Sequence, residues 1–320
     1  MGINSRGAGV RTLVRTASGV AVAVALALVA AGCGRAASSQ ASNRSGVISA
    51  VGAENEYASV LRQIGGRYVH VSAILNNPNT DPHTFEASPQ VAQEVSSAGL
   101  IVQNGVGYDS WMDKIESASP NAQRKVITAQ DVLGLPDSTP NPHLWYDPAT
   151  MPAVARVMAA DLAALAPAHK AYFQANLRKF DGSLTPWLHA IAQFKATHPG
   201  VTAATTEPVA DYLLTAMGIK ILTPFRFQAD IMNGVDPAPE DIALEDGFFS
   251  GHKVRLFAYN QQVVDSLTTS IRQTAVKNGV PVVGVYETMP TPGYSYQSWM
   301  LAEVHAIQKA VTSGTSTQKL

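Results

Sequence analysis

Short apolar runs and amphipathic stretches take turns along this chain, and that alternation restricts its fold more than any other feature. Residues 47–51, 69–75, 100–102 and 125–128 are brief apolar runs of strand length. Between them, residues 54–65, 88–98 and 109–118 have helical spacing. Tyr57, Val60, Leu61 and Ile64 fall on one face, and Gly65-Gly66 closes that helix. Ser88 and Pro89 suit the cap and first turn of the next one. Parallel strands need a crossover, usually helical, so such alternation implies a mostly parallel sheet flanked by helices. The pattern restarts near residue 200, with strands expected at 201–206, 220–223, 254–259 and 282–285. The helices expected there are 209–217, 239–247, 266–278 and 297–311, while 225–237 reads as irregular.

Two further helical stretches lie between these halves. Residues 149–164 are rich in Ala, Val and Met, and residues 168–198 keep helical apolar spacing from Tyr172 to Phe194. A helix of about 30 residues would be about 45 Å long, the scale of two domains side by side. Gly182 and Pro186 are the places where it could kink. With 320 residues, 46% of them hydrophobic, the chain can bury two cores. The expected fold is therefore α/β: two similar lobes, 47–167 and 199–312, joined by a spine helix at 168–198. Residues 313–320 are expected to fray.

The N-terminus has the pattern of an export signal. Arg6, Arg11 and Arg15 precede an apolar run over 20–31, too short for a span of roughly 20 residues, and Ala30-Ala31-Gly32 gives a small-residue cleavage site. Removing 1–32 takes away three arginines and no acid, which moves the formal charge from −1 to −4. Cys33 is the single cysteine, so no intrachain disulfide can form. Its position resembles the acylated cysteine of a bacterial lipobox, although Ala30 stands where a larger aliphatic residue is usual. The expectation is a lipid anchor at Cys33 on the outer side of the cytoplasmic membrane, followed by a flexible tether over 33–46. No basic run or aromatic–basic stripe suggests nucleic acid.

Two proline-rich loops each present a histidine: Asp81-Pro82-His83-Thr84-Phe85-Glu86 after the second strand, and Asn141-Pro142-His143-Leu144-Trp145 after the fourth. Glu207 and Glu287 hold comparable places after expected strands in the second half. Loops at the carboxyl ends of parallel strands are where ligands bind in such sheets. Two imidazoles and two carboxylates suit a divalent transition metal, with the carboxylates balancing its charge. Each residue alone has a blander reading, as a turn histidine, a helix-start acid or a solvated loop acid. The other six histidines lack acidic loop company and read as surface or packing residues.

The segment from Asp81 to Pro89 resembles the Asp-Pro-His-x-aromatic-Glu-x-Ser/Thr-Pro pattern of the zinc/manganese-binding solute-binding proteins of ABC importers. Ile64-Gly65-Gly66, Asn104-Gly105, the Asn141–Trp145 motif and Cys33 fit the same family, and the resemblance runs over about 47–311. It implies His83, His143, Glu207 and Glu287 as ligands of one zinc or manganese ion held between lobes. It also implies a permease and its ATPase as partners, a monomer, and modest rearrangement on metal release. The sequence departs from the family around Glu207-Pro208-Val209 and in having Glu rather than Asp at 287, and it lacks a His-rich loop before His143. A metal-dependent hydrolase is the alternative, but no His-Glu-x-x-His or Gly-x-Ser-x-Gly motif supports it. A surface interaction protein that reuses the fold is a third reading.

Overall fold

The structure, a computed structural model, describes residues 46–79, 82–290 and 292–320. The leader, Cys33 and all but the last residue of the tether lie outside the described residues. The chain begins β1 (Ile48–Glu54), α1 (Asn55–Gly65), β2 (Val69–Leu75), α2 (Pro89–Ser97), β3 (Leu100–Gln103), α3 (Ser110–Ala118), β4 (Lys125–Thr128) and α4 (Ala129–Leu133). Helices α5 (Thr150–Leu165), α6 (Lys170–Ser183) and α7 (Thr185–Thr197) follow. The second run is β5 (Thr202–Thr205), α8 (Asp211–Ala216), β6 (Lys220–Ile221), α9 (Phe225–Met232), α10 (Pro239–Ser250), β7 (Leu256–Asn260), α11 (Ser266–Lys277), β8 (Val282–Val285) and α12 (Tyr296–Ser313).

The strands form two four-stranded sheets of matching order, β2-β1-β3-β4 and β6-β5-β7-β8, with every pairing parallel. In β1, Val51 pairs with both Ser72 and Ile101. The order reverses direction between β1 and β3, and again between β5 and β7. Such a switch point opens a crevice at the carboxyl ends of the strands. Alternate strand residues face opposite sides of each sheet, as a period of two requires. Ala50, Leu100 and Val102 join the main core, while Val51 and Ile101 join a small outer cluster with Met112 of α3. The second sheet has its own outer cluster, with Phe227, Phe249 and Phe257. The main core is continuous from the first sheet to the second, through Trp145, Trp187 and Trp299.

The spine occupies 170–197 and breaks once, at Leu184, between α6 and α7. Pro186 is the cause: it has no N–H to give to Gly182 four residues earlier, so the ladder lapses there. The segment 225–237 is more regular than expected, because α9 forms over its first eight residues. Phe227 and Ile231, one turn apart, are buried and supply the helix's inner face.

The C-terminal tail is not frayed, in contrast to the expectation for 313–320. Thr317 lies parallel beside Val283, donating to the Val282 carbonyl and accepting from Gly284 N–H, both at 2.9 Å. Ser316 Oγ accepts from Val282 N–H at 3.0 Å, and Leu320 N–H donates to Tyr286 Oη at 3.2 Å. Gly284 allows this approach: a Cβ there would stand 2.0 Å from the Gln318 carbonyl oxygen. The tail thus covers the otherwise open edge of β8.

Candidate metal centre

His83 sits in a one-turn helix, Pro82–Thr84, after β2. His143 precedes another, Leu144–Tyr146, and Glu287 lies two residues beyond β8. The three side chains converge: one donor atom from each lies within 4.8 Å of the others. His83 Nε2 is 3.0 Å from Glu287 Oε2, and His143 Nε2 is 3.3 Å from the same oxygen. His143 and Glu287 are fully buried, while the His83 side chain retains 26% of its exposure and marks the solvent side.

Glu207 is not in that cluster, although it is buried nearby. Asn260, the last residue of β7, connects it to the cluster. Its amide nitrogen donates to Glu207 Oε1 at 3.0 Å and to Glu287 Oε1 at 2.7 Å. Glu207 lies two residues beyond β5 and Asn260 ends β7, so both flank the switch point of the second sheet. Asp211, the other nearby acid of that segment, is engaged by Gln228 at 2.8 Å.

The tautomer of His143 follows from its neighbours. Asn141 donates its amide nitrogen to the Pro208 carbonyl at 2.7 Å, which fixes which end of the amide is oxygen. That oxygen accepts the His143 backbone N–H at 3.0 Å and faces Nδ1 at 2.8 Å. Nδ1 must therefore carry the hydrogen, and in the neutral ring Nε2 is left with a lone pair aimed at Glu287. Burial lowers the His143 pKa, which favours that neutral ring, although Glu287 pulls the other way. Burial alone would raise the Glu287 pKa, but the two imidazoles, when they carry protons, hold it far below the usual carboxylate range by hydrogen bonding and by charge. A lone pair and an anionic oxygen at this spacing repel each other. A cation between them, a proton or a metal ion, resolves the conflict.

Tyr108 completes the ring of contacts, donating its hydroxyl to Glu287 Oε2 at 3.0 Å. Burial, then the Glu287 charge, raises its pKa well above the ordinary phenol value, so it stays a donor. Its ring meets those of His83 and His143 edge-on, with centroids 5.5 and 5.8 Å away. The loop before it is tightly wound: Gly105, Val106 and Gly107 have φ of 83°, 54° and 75°. Positive φ is costly at a β-branched residue such as Val106. The Asp109 carboxylate takes the Asn104 and Gly105 N–H groups at 2.5 and 2.9 Å, and Gln130 Oε1 takes that of Val106 at 2.6 Å. Gly105 is required sterically, since a Cβ would approach Thr128 Cγ2 to 2.7 Å. Asn104 then reaches the second histidine loop through the Pro142 carbonyl, at 2.8 Å.

The sequence pattern gives no site role to Tyr108, Asn141 or Asn260. Asn260 obeys the rule that singled out Glu207 and Glu287, a polar side chain at the carboxyl end of a strand. Asn141 lies within the second histidine loop, but its role depends on Pro208, 67 residues away. Nothing in the local pattern marks Tyr108, whose partner Glu287 is 179 residues away.

Residues 51–310 match the family described as zinc-uptake complex component A, periplasmic. The chain is 28% identical over 167 residues to the manganese-binding lipoprotein MntA of Halalkalibacterium halodurans, covering 51% of this chain and 55% of that protein. It thus spans about half the length of the curated relatives it matches. Its fold is that of the periplasmic zinc-binding protein TroA of Treponema pallidum, with a TM-score of 0.71 at 17% identity, covering 84% of this chain and all of that one. FpvC of Pseudomonas aeruginosa, solved in complex with Mn2+, superposes with a TM-score of 0.69 at 18% identity, covering 83% of this chain and 98% of the other.

Proposed function

This chain belongs to the zinc-uptake component A family, and from that premise we propose that it is the extracytoplasmic capture protein of a metal-ion ABC importer. Its cargo is a divalent ion of the zinc–manganese class, and its partners are a permease and the attached ATPase. The observation that carries this reading is the convergence of His83 Nε2, His143 Nε2 and Glu287 Oε2, with the His143 lone pair held in place by Asn141. Two neutral nitrogen donors and a carboxylate suit zinc or manganese. Glu207 is the proposed fourth ligand. The Asn260 amide already bridges it to Glu287, and a second carboxylate would balance the charge of a dication in a largely buried place. The division into lobes at 47–167 and 199–312, linked by the spine at 168–198, is part of the same proposal, since each carries one sheet and the site lies at their sheet ends.

Metal-free protein titrated with Zn2+ and with Mn2+ should bind one ion per chain. His143→Ala and Glu287→Gln should each abolish tight binding, and Glu207→Gln should weaken it. Protein that takes up neither metal would refute the reading; unchanged binding in Glu207→Gln would remove Glu207 alone. We also propose that Cys33 is the acylated first residue of the mature protein, which holds it on the outer face of the cytoplasmic membrane. Cys33→Ala should move the protein from the membrane fraction to the soluble one, and an unacylated wild-type protein by mass spectrometry would end that proposal.

A further inference from the structure

The segment that carries Glu287 is held by side chains at every backbone N–H from 286 to 289. Tyr146 Oη accepts that of Tyr286 at 3.2 Å, and Gln262 Oε1 accepts those of Glu287 and Thr288 at 2.6 and 2.8 Å. Asn55 Oδ1 accepts that of Met289 at 2.9 Å. Two carbonyls are also gripped: Tyr146 donates to that of Tyr286 and Asn55 to that of Met289, both at 2.9 Å. Gln262 comes from the same half of the chain as Glu287, but Asn55 and Tyr146 come from the other half. Asn55 is the first residue of α1, and its side chain makes no cap for its own helix. Instead its amide pairs with Met289 in both directions, as a neighbouring strand would, and both residues are almost fully buried.

We propose that Asn55 is a positioning residue for the metal site, fixing the Glu287 segment to the half of the chain that supplies His83 and His143. Apart from Tyr146 at Tyr286 and the Tyr108 hydroxyl on Oε2, Glu287 would otherwise be set against the imidazoles only through the second sheet. The reciprocal amide pair ties its segment directly to the start of α1, immediately after β1. In that position Glu287 Oε2 stands at hydrogen-bond distance from both imidazoles. A carboxylate only an ångström out of place would lose one of its two imidazole partners, so the precision of this tie bears directly on affinity.

The inference rests on the metal-binding reading above, and its test separates the two. Asn55→Leu keeps the branched shape and removes both hydrogen bonds; Tyr146→Phe loosens the other end and serves if Asn55→Leu does not fold. Gln63→Ala is the control, because Gln63 and Gln297 form another reciprocal amide pair between α1 and α12 without touching the 286–289 segment. Amide hydrogen exchange on metal-free protein should show faster exchange at 286–289 in Asn55→Leu and not in Gln63→Ala. Zn2+ and Mn2+ titrations should show about tenfold weaker binding in Asn55→Leu, the lower end of the range for outer-sphere changes, and wild-type affinity in Gln63→Ala. Unchanged exchange at 286–289 would overturn the proposal, as would faster exchange with unaltered affinity or an equal loss in the control. Wild-type protein that binds no metal would instead refute the underlying reading.

Discussion

At the residue scale, His143 shows how burial changes what a substitution measures. A histidine in a proline-rich loop is expected to contribute little packing, and His83 fits that expectation. His143 does not: it is fully buried, and its ring meets those of Tyr108 and Trp145 edge-on. His143→Ala should therefore cost the metal-free protein about 2 kcal/mol or more in urea unfolding, as other large-to-small core changes do, and His83→Ala about 0.5 kcal/mol. Asn141→Ala gives a cleaner test of the lone-pair argument, because Asn141 sets the His143 tautomer from outside the cluster. Metal affinity should fall about 10- to 100-fold while one-to-one stoichiometry persists. Titration calorimetry decides this, and undiminished affinity would show that the tautomer is set elsewhere.

At the element scale, the tail and β8 make a small parallel pairing that the alternating pattern did not reveal. Three backbone and side-chain hydrogen bonds bind residues 316 and 317 to β8. At about 0.5–1.5 kcal/mol each, their loss should cost about 1.5–4.5 kcal/mol. Deleting 315–320 should lower the unfolding free energy by that amount, and the urea midpoint with it, with little effect on metal affinity because the tail touches no proposed ligand. Gly284→Ala should act like the deletion, since its Cβ would displace the Gln318 carbonyl. A deletion that leaves the midpoint in place would show the pairing to be energetically idle.

At the scale of the whole molecule, buried acids set how stability responds to pH. Burial pushes Glu245 and Glu303 each up to about 8, and Asp211 up to about 7. Each keeps its proton in the folded state where the unfolded chain, with carboxylates near 4, has lost it. The folded form then binds more protons, so this stabilisation is full below about pH 4 and is lost as pH rises towards 8. His143 acts in the opposite sense: its lowered pKa makes stability fall as pH drops below about 6.5. Metal-free protein should thus melt higher at pH 6.5 than at pH 8.5, and Glu245→Gln should flatten that difference. A melting temperature that rises between those pH values would contradict the buried-acid account. Metal binding has the reverse dependence, weakening in acid as protons compete for the imidazoles and Glu287.

The alternating pattern alone determined the α/β class, all eight strands, the spine and the two histidine loops, because period-two and helical spacing, prolines and glycines are local properties. Gly182 and Pro186, the two expected kink positions, bracket the break at Leu184. Local pattern also placed Glu207 and Glu287 at strand ends, but it treated them as equals. The tertiary structure decided that Glu287 meets both imidazoles while Glu207 reaches the cluster through Asn260. It also decided that Asn141 orients His143 and that Asn55 and Tyr146 hold the Glu287 segment. Those contacts join residues up to 234 positions apart. A side chain's partner at that range depends on how two sheets pack against one core, and no local spacing encodes it.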